Sequence, residues 1–336
     1  MGFIDSIKAQ AKARKKTIVL PEVTDLRTIE AAVKILNEGF ADLILLGEQD
    51  EICKRAKDQL SHLPTDVLQK ASFLTLKDEA LLDKLIALLV KLRGHKGMDS
   101  AKAKELLLND CLYFGAALVK SGKADGMVAG AIHATSSVLR AALQIVGTAA
   151  DSKLVSSFFI MVVPDCTYGL QGTFVFADCG LCQNPNAEEL AHIALSSAKS
   201  FESITHNEPL VAMLSHSTYG SASHPDVDKV IEATKIAKSL APHLKVDGEL
   251  QLDAAIVPSV GESKAKGSQV AGKANVLVFP DLDAGNIGYK LVQRFAKAEA
   301  YGPIAQGMSA PINDLSRGCS ADDIAGVVAI SALQAK

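Results

Sequence analysis

No apolar run in this sequence approaches the roughly 20 residues that a membrane-spanning helix requires. The longest runs, 158–163 and 324–333, stop well short of it. The apolar core of a secretory signal is also missing, because Lys8, Lys12, Arg14, Lys15 and Lys16 follow the start directly. The chain is therefore expected to be soluble and cytoplasmic, with no membrane partner. The opening MGFIDS formally fits a myristoylation pattern, and a short helix capped by Asp or Ser accounts for it equally well. An excess of one charge is lacking too. The net charge is −3, with Lys and Arg scattered among acids, so no basic stripe invites nucleic acid. Six cysteines at irregular spacing do not make a disulfide framework. Cys179 and Cys182 form a CxxC with no second pair or histidine to complete a zinc site, which leaves reduced, buried thiols as the simpler reading.

What is present belongs to a well-filled globular chain: 48% hydrophobic and 22% charged residues, with no long polar, charge-heavy segment. At 336 residues the chain exceeds what one core organises, so two domains are expected. β-rich runs at 17–20 and 43–46 alternate with helical patterns at 26–37, preceded by the cap candidates Thr24 and Asp25, and at 78–92. That alternation predicts a parallel sheet covered by helices. It resumes with strands at 155–163, 172–176, 210–214 and 275–279 and helices at 187–200 and 225–240, predicting a second α/β unit.

Several segments carry candidate chemistry. The strand at 124–130 leads into AIHATSS, which puts Thr135, Ser136 and Ser137 at the start of a helix containing Arg140. Hydroxyls at a helix N-terminus suit an anion and are equally ordinary caps. SHSTYGS at 215–221 is a hydroxyl-rich loop at a strand's carboxyl edge, where open α/β sheets bind ligands. GSQVAGK at 267–273 imitates a phosphate-binding loop. Ala274 stands where a Ser or Thr should hold magnesium, and a strand follows where a helix is required, so that reading is rejected. There is no GxGxxG after a strand, so a dinucleotide fold of the usual kind has no support. DLSRGCSADD at 314–323 concentrates Ser316, Arg317, Ser320 and Asp323 before an apolar helix. Ser320 and Asp323 fit a capping box, which is a purely structural account of both. Capping does not explain Arg317, whose fixed charge and forked donors suit a phosphate.

Along nearly its whole length the sequence resembles the phosphate acetyl/butyryltransferase family. The resemblance rests on DGELQLDAA at 247–255, GKANVLVFPDL at 272–282, GNIGYK at 285–290 and PINDLSRGCS at 311–320; His216 departs from it, where Phe is expected. The resemblance implies two three-layer α/β domains with a cleft between them, isocitrate/isopropylmalate dehydrogenase-like. They would be discontinuous, with 1–148 plus 303–336 as one and 149–302 as the other, in a homodimer. It implies transfer of an acetyl group between coenzyme A and inorganic phosphate, with acetyl-CoA and acetyl phosphate as substrates and no metal or prosthetic group. By motif, Ser316 orients the thiol, Arg317 binds phosphate and Asp323 is the base. Arg140, Arg93 and Arg294 resemble further anion- or coenzyme A-binding arginines, with Thr135 and Ser136 beside them. Cys166 and Cys319 are candidate acyl carriers to be checked, although direct transfer is what the resemblance implies. Its rivals are a longer acyl chain, as in butyryl transfer, a related dehydrogenase, whose nucleotide loop and acidic metal cluster are not found, and a non-catalytic acetyl-CoA-sensing domain.

Overall fold

The alternation of strands and helices resolves into two α/β units in a computed structural model that describes residues 2–75, 78–150 and 152–335. One unit comprises Met1–Ala149 and Met308–Lys336, the other Ala150–Gly307. The chain begins α1 (Phe3–Arg14), β1 (Thr17–Leu20), α2 (Leu26–Glu38), β2 (Asp42–Leu46), α3 (Gln49–Gln59), β3 (Ser72–Leu74), α4 (Glu79–Arg93), α5 (Ser100–Asn109), α6 (Cys111–Lys120), β4 (Gly126–Ala129) and α7 (Thr135–Ile145). The second unit holds β5 (Ser156–Val162), β6 (Thr173–Ala177), α8 (Ala187–Thr205), β7 (Leu210–Leu214), α9 (Pro225–Leu240), β8 (Lys245–Leu250), α10 (Leu252–Ile256), α11 (Pro258–Lys264), β9 (Val276–Val278), α12 (Leu282–Phe295) and β10 (Glu299–Gln306). β11 (Ile312–Asp314) and α13 (Ala321–Gln334) return to the first.

The first unit's sheet is parallel throughout, in the order β11-β4-β1-β2-β3. Ile18, Val19 and Leu20 are all buried because both faces of the sheet are covered. The face carrying Val19, Met127 and Ile312 shares a core with α4, α5, α6 and α7, whereas α1 and α2 both pack against α13, and α13 against β1 and β4. Caps fix the helix starts: Asp25 accepts the Arg27 N–H at 2.8 Å and Asp78 that of Leu81 at 3.1 Å. α13 is buried from Ile324 to Leu333. Asn313 of β11 ties itself to that helix by donating to Ser331 Oγ and Gln334 Oε1.

The second sheet is mixed, in the order β10-β5-β6-β9-β7-β8, with β5 antiparallel to both β10 and β6. Phe159, Met161, Phe174, Phe176 and Leu277 form a core with residues of α10 and α12. Alternate residues, Phe158, Ile160, Val175 and Val276, point to the opposite face, where α8 and α9 pack. The return to the first unit was expected at 303. Instead Ile304, Ala305 and Gln306 pair with Phe158, Ser157 and Ser156, so the backbone stays in the second sheet until Gly307.

Candidate active site

Because β1, β4 and β11 are parallel neighbours, the chain leaving each of them emerges at one sheet edge. Glu22, the loop from Gly130 to Ala134, and the segment from Asp314 to Arg317 lie there. Glu22 is only 2% exposed. It accepts the N–H groups of Gly130 and Ala131 at 2.8 Å, Ile132 at 3.2 Å and His133 at 3.1 Å, and its Oε1 lies 2.7 Å from His133 Nδ1. The amides that Glu22 accepts belong to the 130–133 loop, ahead of the α7 start where an anion was expected. The Thr135 hydroxyl donates to Asp314 Oδ2 at 2.5 Å. Ser136 remains exposed at the start of α7, with Arg140 one turn further on the same face.

Asp314 is 4% exposed, and its Oδ1 is buried without a hydrogen-bond partner. Burial pushes the carboxyl up to about 6; Thr135 and the Leu315 amide oppose this, the Glu22 charge adds to it and Arg317 opposes it. Gly130 lies against this oxygen at φ +114°, where a Cβ atom would come within 2.4 Å of Oδ1 and 2.6 Å of the Leu315 nitrogen. Only glycine fits.

Ser316, Arg317 and Gly318 form an exposed turn. The turn closes through Cys319 N–H to Ser316 O at 2.9 Å and Gly318 N–H to Ser316 Oγ at 3.3 Å. Arg27 holds it from below. One terminal nitrogen donates to the carbonyls of Arg317 and Cys319 at 2.8 Å each, the other to Asp25 Oδ2 and to Ala131 O, and Nε to Asp25 Oδ1. The arginine is thus consumed as a clamp joining α2, the turn and the β4–α7 loop. Cys319, buried in the same turn, has its thiol pushed up to about 11 by burial, with Arg27 opposing, so it stays protonated at neutral pH.

The capping box at α13 is fully formed. Asp323 Oδ2 accepts from Ser320 N at 2.8 Å and Ser320 Oγ at 2.9 Å, and Asp323 N–H donates to Ser320 Oγ at 3.1 Å. The box occupies one carboxylate oxygen. Asp323 is exposed, and its Oδ1 takes no part in the cap. Its neighbour Asp322 pairs with Lys34 at 2.8 Å.

The expected arginines separate into groups. Arg93, half-buried, donates to the Gln144 carbonyl of α7 at 3.5 Å. With Arg140 it flanks Tyr113, whose hydroxyl burial pushes up and both guanidinium charges pull down. Arg294 lies exposed on α12 of the second unit, beside Tyr289, which stacks on Phe159 at 4.0 Å. In that unit the 215–221 loop uses its hydroxyls internally: Ser217 Oγ and Gly220 N–H both donate to Glu249 Oε1, at 2.8 and 2.7 Å, while His216 is exposed. In the rejected phosphate loop Ser268 Oγ caps Val270 and Ala271 and donates to Asp247. After β6, Asp178 collects Ser157 N and Oγ and the amides of Gly180, Leu181 and Cys182. Burial pushes the Cys179 and Cys182 thiols up, with the Asp178 charge adding to it. Among the described residues no group of three His, Cys, Asp or Glu side chains is arranged to hold a metal.

Glu22, Arg27 and Asp314 carry this edge and were given no role in the sequence. Asp314 stood inside the DLSRGCSADD motif. Arg27 follows a helix cap, and Glu22 follows a strand end with no motif around it.

Two α/β units, each built on a largely parallel sheet covered by helices, define an α/β protein of two domains. The model for the phosphate acetyl/butaryl transferase family matches residues 2–332, and the chain belongs to that family. A phosphate acetyltransferase of Acetivibrio thermocellus is 57% identical over 336 residues, covering 100% of this chain and 99% of its own. The crystal structure of a phosphotransacetylase from Streptococcus pyogenes superposes with a TM-score of 0.90 at 41% identity, covering 99% of both chains. A structure from Salmonella typhimurium described as a putative 4-hydroxythreonine-4-phosphate dehydrogenase, at 12% identity and a TM-score of 0.54, shares the fold alone.

Proposed function

We propose that this chain is a phosphate acetyltransferase, which interconverts acetyl-CoA plus phosphate with coenzyme A plus acetyl phosphate. What carries the reading is that the family match runs through the Ser316–Asp323 segment, where Ser316, Arg317 and Asp323 are all exposed. In this reading Asp323 takes the coenzyme A thiol proton on Oδ1 while Oδ2 stays in the cap. The sulfur attacks the acetyl-phosphate carbonyl, the carbon–oxygen bond to phosphate breaks and phosphate departs towards Arg317. Ser316 orients the thiol, and Arg140, Arg93 and Ser136 supply donors for the anionic groups. Arg294 is assigned to coenzyme A. Thr135 acts indirectly, through Asp314.

Proton transfer from a thiol to an ordinary carboxylate spans roughly 4 to 5 pKa units, or about 6 kcal/mol. Arginine charge that stabilises the thiolate narrows this gap, with proximity carrying a large share of the rate. Every proton and electron pair in the step is accounted for without a prosthetic group. Cys319 is unsuited to carry the acetyl group, because its buried thiol stays protonated. Six free cysteines fit a cytoplasmic location. A homodimer fits the exposed stripe Ile287, Leu291 and Phe295 on α12, of which Phe295 is 83% exposed. The test is phosphate-dependent release of coenzyme A from acetyl-, propionyl- and butyryl-CoA. Acetyl-CoA is expected to be the fastest substrate. A faster butyryl reaction would move the chain to butyryl transfer, and no acetyl phosphate from any donor would refute the reading.

A further inference from the structure

Two buried carboxylates flank Gly130, and they are treated differently. Glu22 is saturated by four amides and a histidine nitrogen. Asp314 has one oxygen on Thr135 and the other buried without a hydrogen bond of ordinary geometry, although the Leu315 amide also favours its charged form. A neutral asparagine would receive the Thr135 hydroxyl as well as an aspartate does, without burying a charge beside another carboxylate. What a carboxylate adds is a charge that Arg317, three residues on, can feel. Thr135 is the first residue of α7, so the same bond fixes the helix that presents Ser136 and Arg140.

We propose that Asp314 is a positioning residue that sets the first turn of α7 against the Ser316–Arg317 turn, and that its protonation is coupled to anion binding at Arg317. The inference rests on the proposed acetyl transfer only in taking Arg317 as the phosphate site. A dianion arriving there offsets the Arg317 charge, which favours ionised Asp314, and adds negative charge beside it and Glu22. Asp314 then takes up a proton, and by linkage the anion binds more tightly when the proton is present. The groups facing Asp314 can be named by element. Thr135 and, further along, Arg140 come from α7; Arg317 comes from its own turn; Glu22, carrying His133, comes from the segment after β1. α13 meets β11 through Ser331 and Gln334, both uncharged, and β4 contributes no charged side chain.

The experiment is calorimetric binding of sulfate, whose charge is constant from pH 5 to 8, to the full chain. Affinity is expected to rise as the pH falls from 8 and to level off near 6, by about tenfold for each unit that the anion raises the Asp314 pKa. Asp314→Asn should flatten the profile, His133→Gln should keep it and Arg317→Gln should abolish binding. If Asp314→Asn does not fold, Thr135→Val decides: removing a hydrogen bond to the carboxylate should move the levelling point above 6. A flat profile in the parent, a profile retained in Asp314→Asn, one lost in His133→Gln, undiminished binding in Arg317→Gln, or an unmoved levelling point in Thr135→Val overturns the inference. A parent that binds sulfate with this profile yet makes no acetyl phosphate overturns the proposed function instead.

Discussion

Asp178 and Asp314 both stand at or just after the carboxyl end of a strand, one in each unit, and are almost equally buried, 2% and 4% exposed. Asp178 receives five donors within 3.2 Å, from Ser157, Gly180, Leu181 and Cys182. Asp314 receives the Thr135 hydroxyl on one oxygen, and the other is buried without a hydrogen bond of ordinary geometry. Burial alone therefore does not say what a carboxylate is for. A saturated one is part of the scaffold, since it holds together the loop that donates to it. A half-satisfied one beside a second carboxylate and an arginine can change its charge.

Removing each group should have opposite consequences. Asp178→Ala orphans five donors at once, two of them on buried Ser157, and should cost about 3–5 kcal/mol, read as a lowered midpoint in urea unfolding of the second unit. Loss of less than about 1 kcal/mol would end the comparison. Asp314→Asn should stabilise, and only when the pH is high enough. The folded carboxyl titrates near 6 against an ordinary 3.8. Its favourable, protonated contribution is complete in acid below 3.8 and is lost as the pH rises through about 6, leaving a deficit of about 3 kcal/mol. Melting temperatures of parent and variant should converge near pH 4 and separate by pH 7.5 in favour of the variant. A pH-independent difference would show that Asp314 is as fixed as Asp178. The smallest effect is expected at Cys319, which shares the turn with Arg317 and stays neutral with a thiol near 11. Cys319→Ala should keep turnover within roughly threefold, and iodoacetamide at pH 8 should modify the parent slowly.

The contrast also explains what could be read from the sequence. Helices announced themselves through local chemistry: Asp25, Asp78 and Ser320 cap the helices expected after them. β1, β2 and β7 were visible as apolar runs of strand length. β10 was not, because EAYGPIAQ contains Gly302 and Pro303, which read as a turn. In the sheet they fall at an irregularity between Tyr301 and Ile304 on an edge strand, where proline is tolerated. In the candidate site, Ser316, Arg317 and Asp323 could be named as candidates because they share one motif. Glu22 and Asp314 could not, because their partners lie 108 and 179 residues away in the chain. A parallel sheet brings such residues together only after three strands have paired.

The proposed mechanism turns on Asp323, a helix cap asked to serve as a base, and Ser320 shares the cap without sharing that duty. Turnover and melting temperature of Asp323→Asn and Ser320→Ala, measured side by side, separate the two roles. Each substitution should lower stability by about 1 kcal/mol as the cap is lost. Asp323→Asn alone should also lower turnover by roughly 10² or more, with Ser320→Ala staying within several-fold of the parent. Equal, small losses of turnover in both variants would contradict the account and leave Asp323 a cap and nothing more.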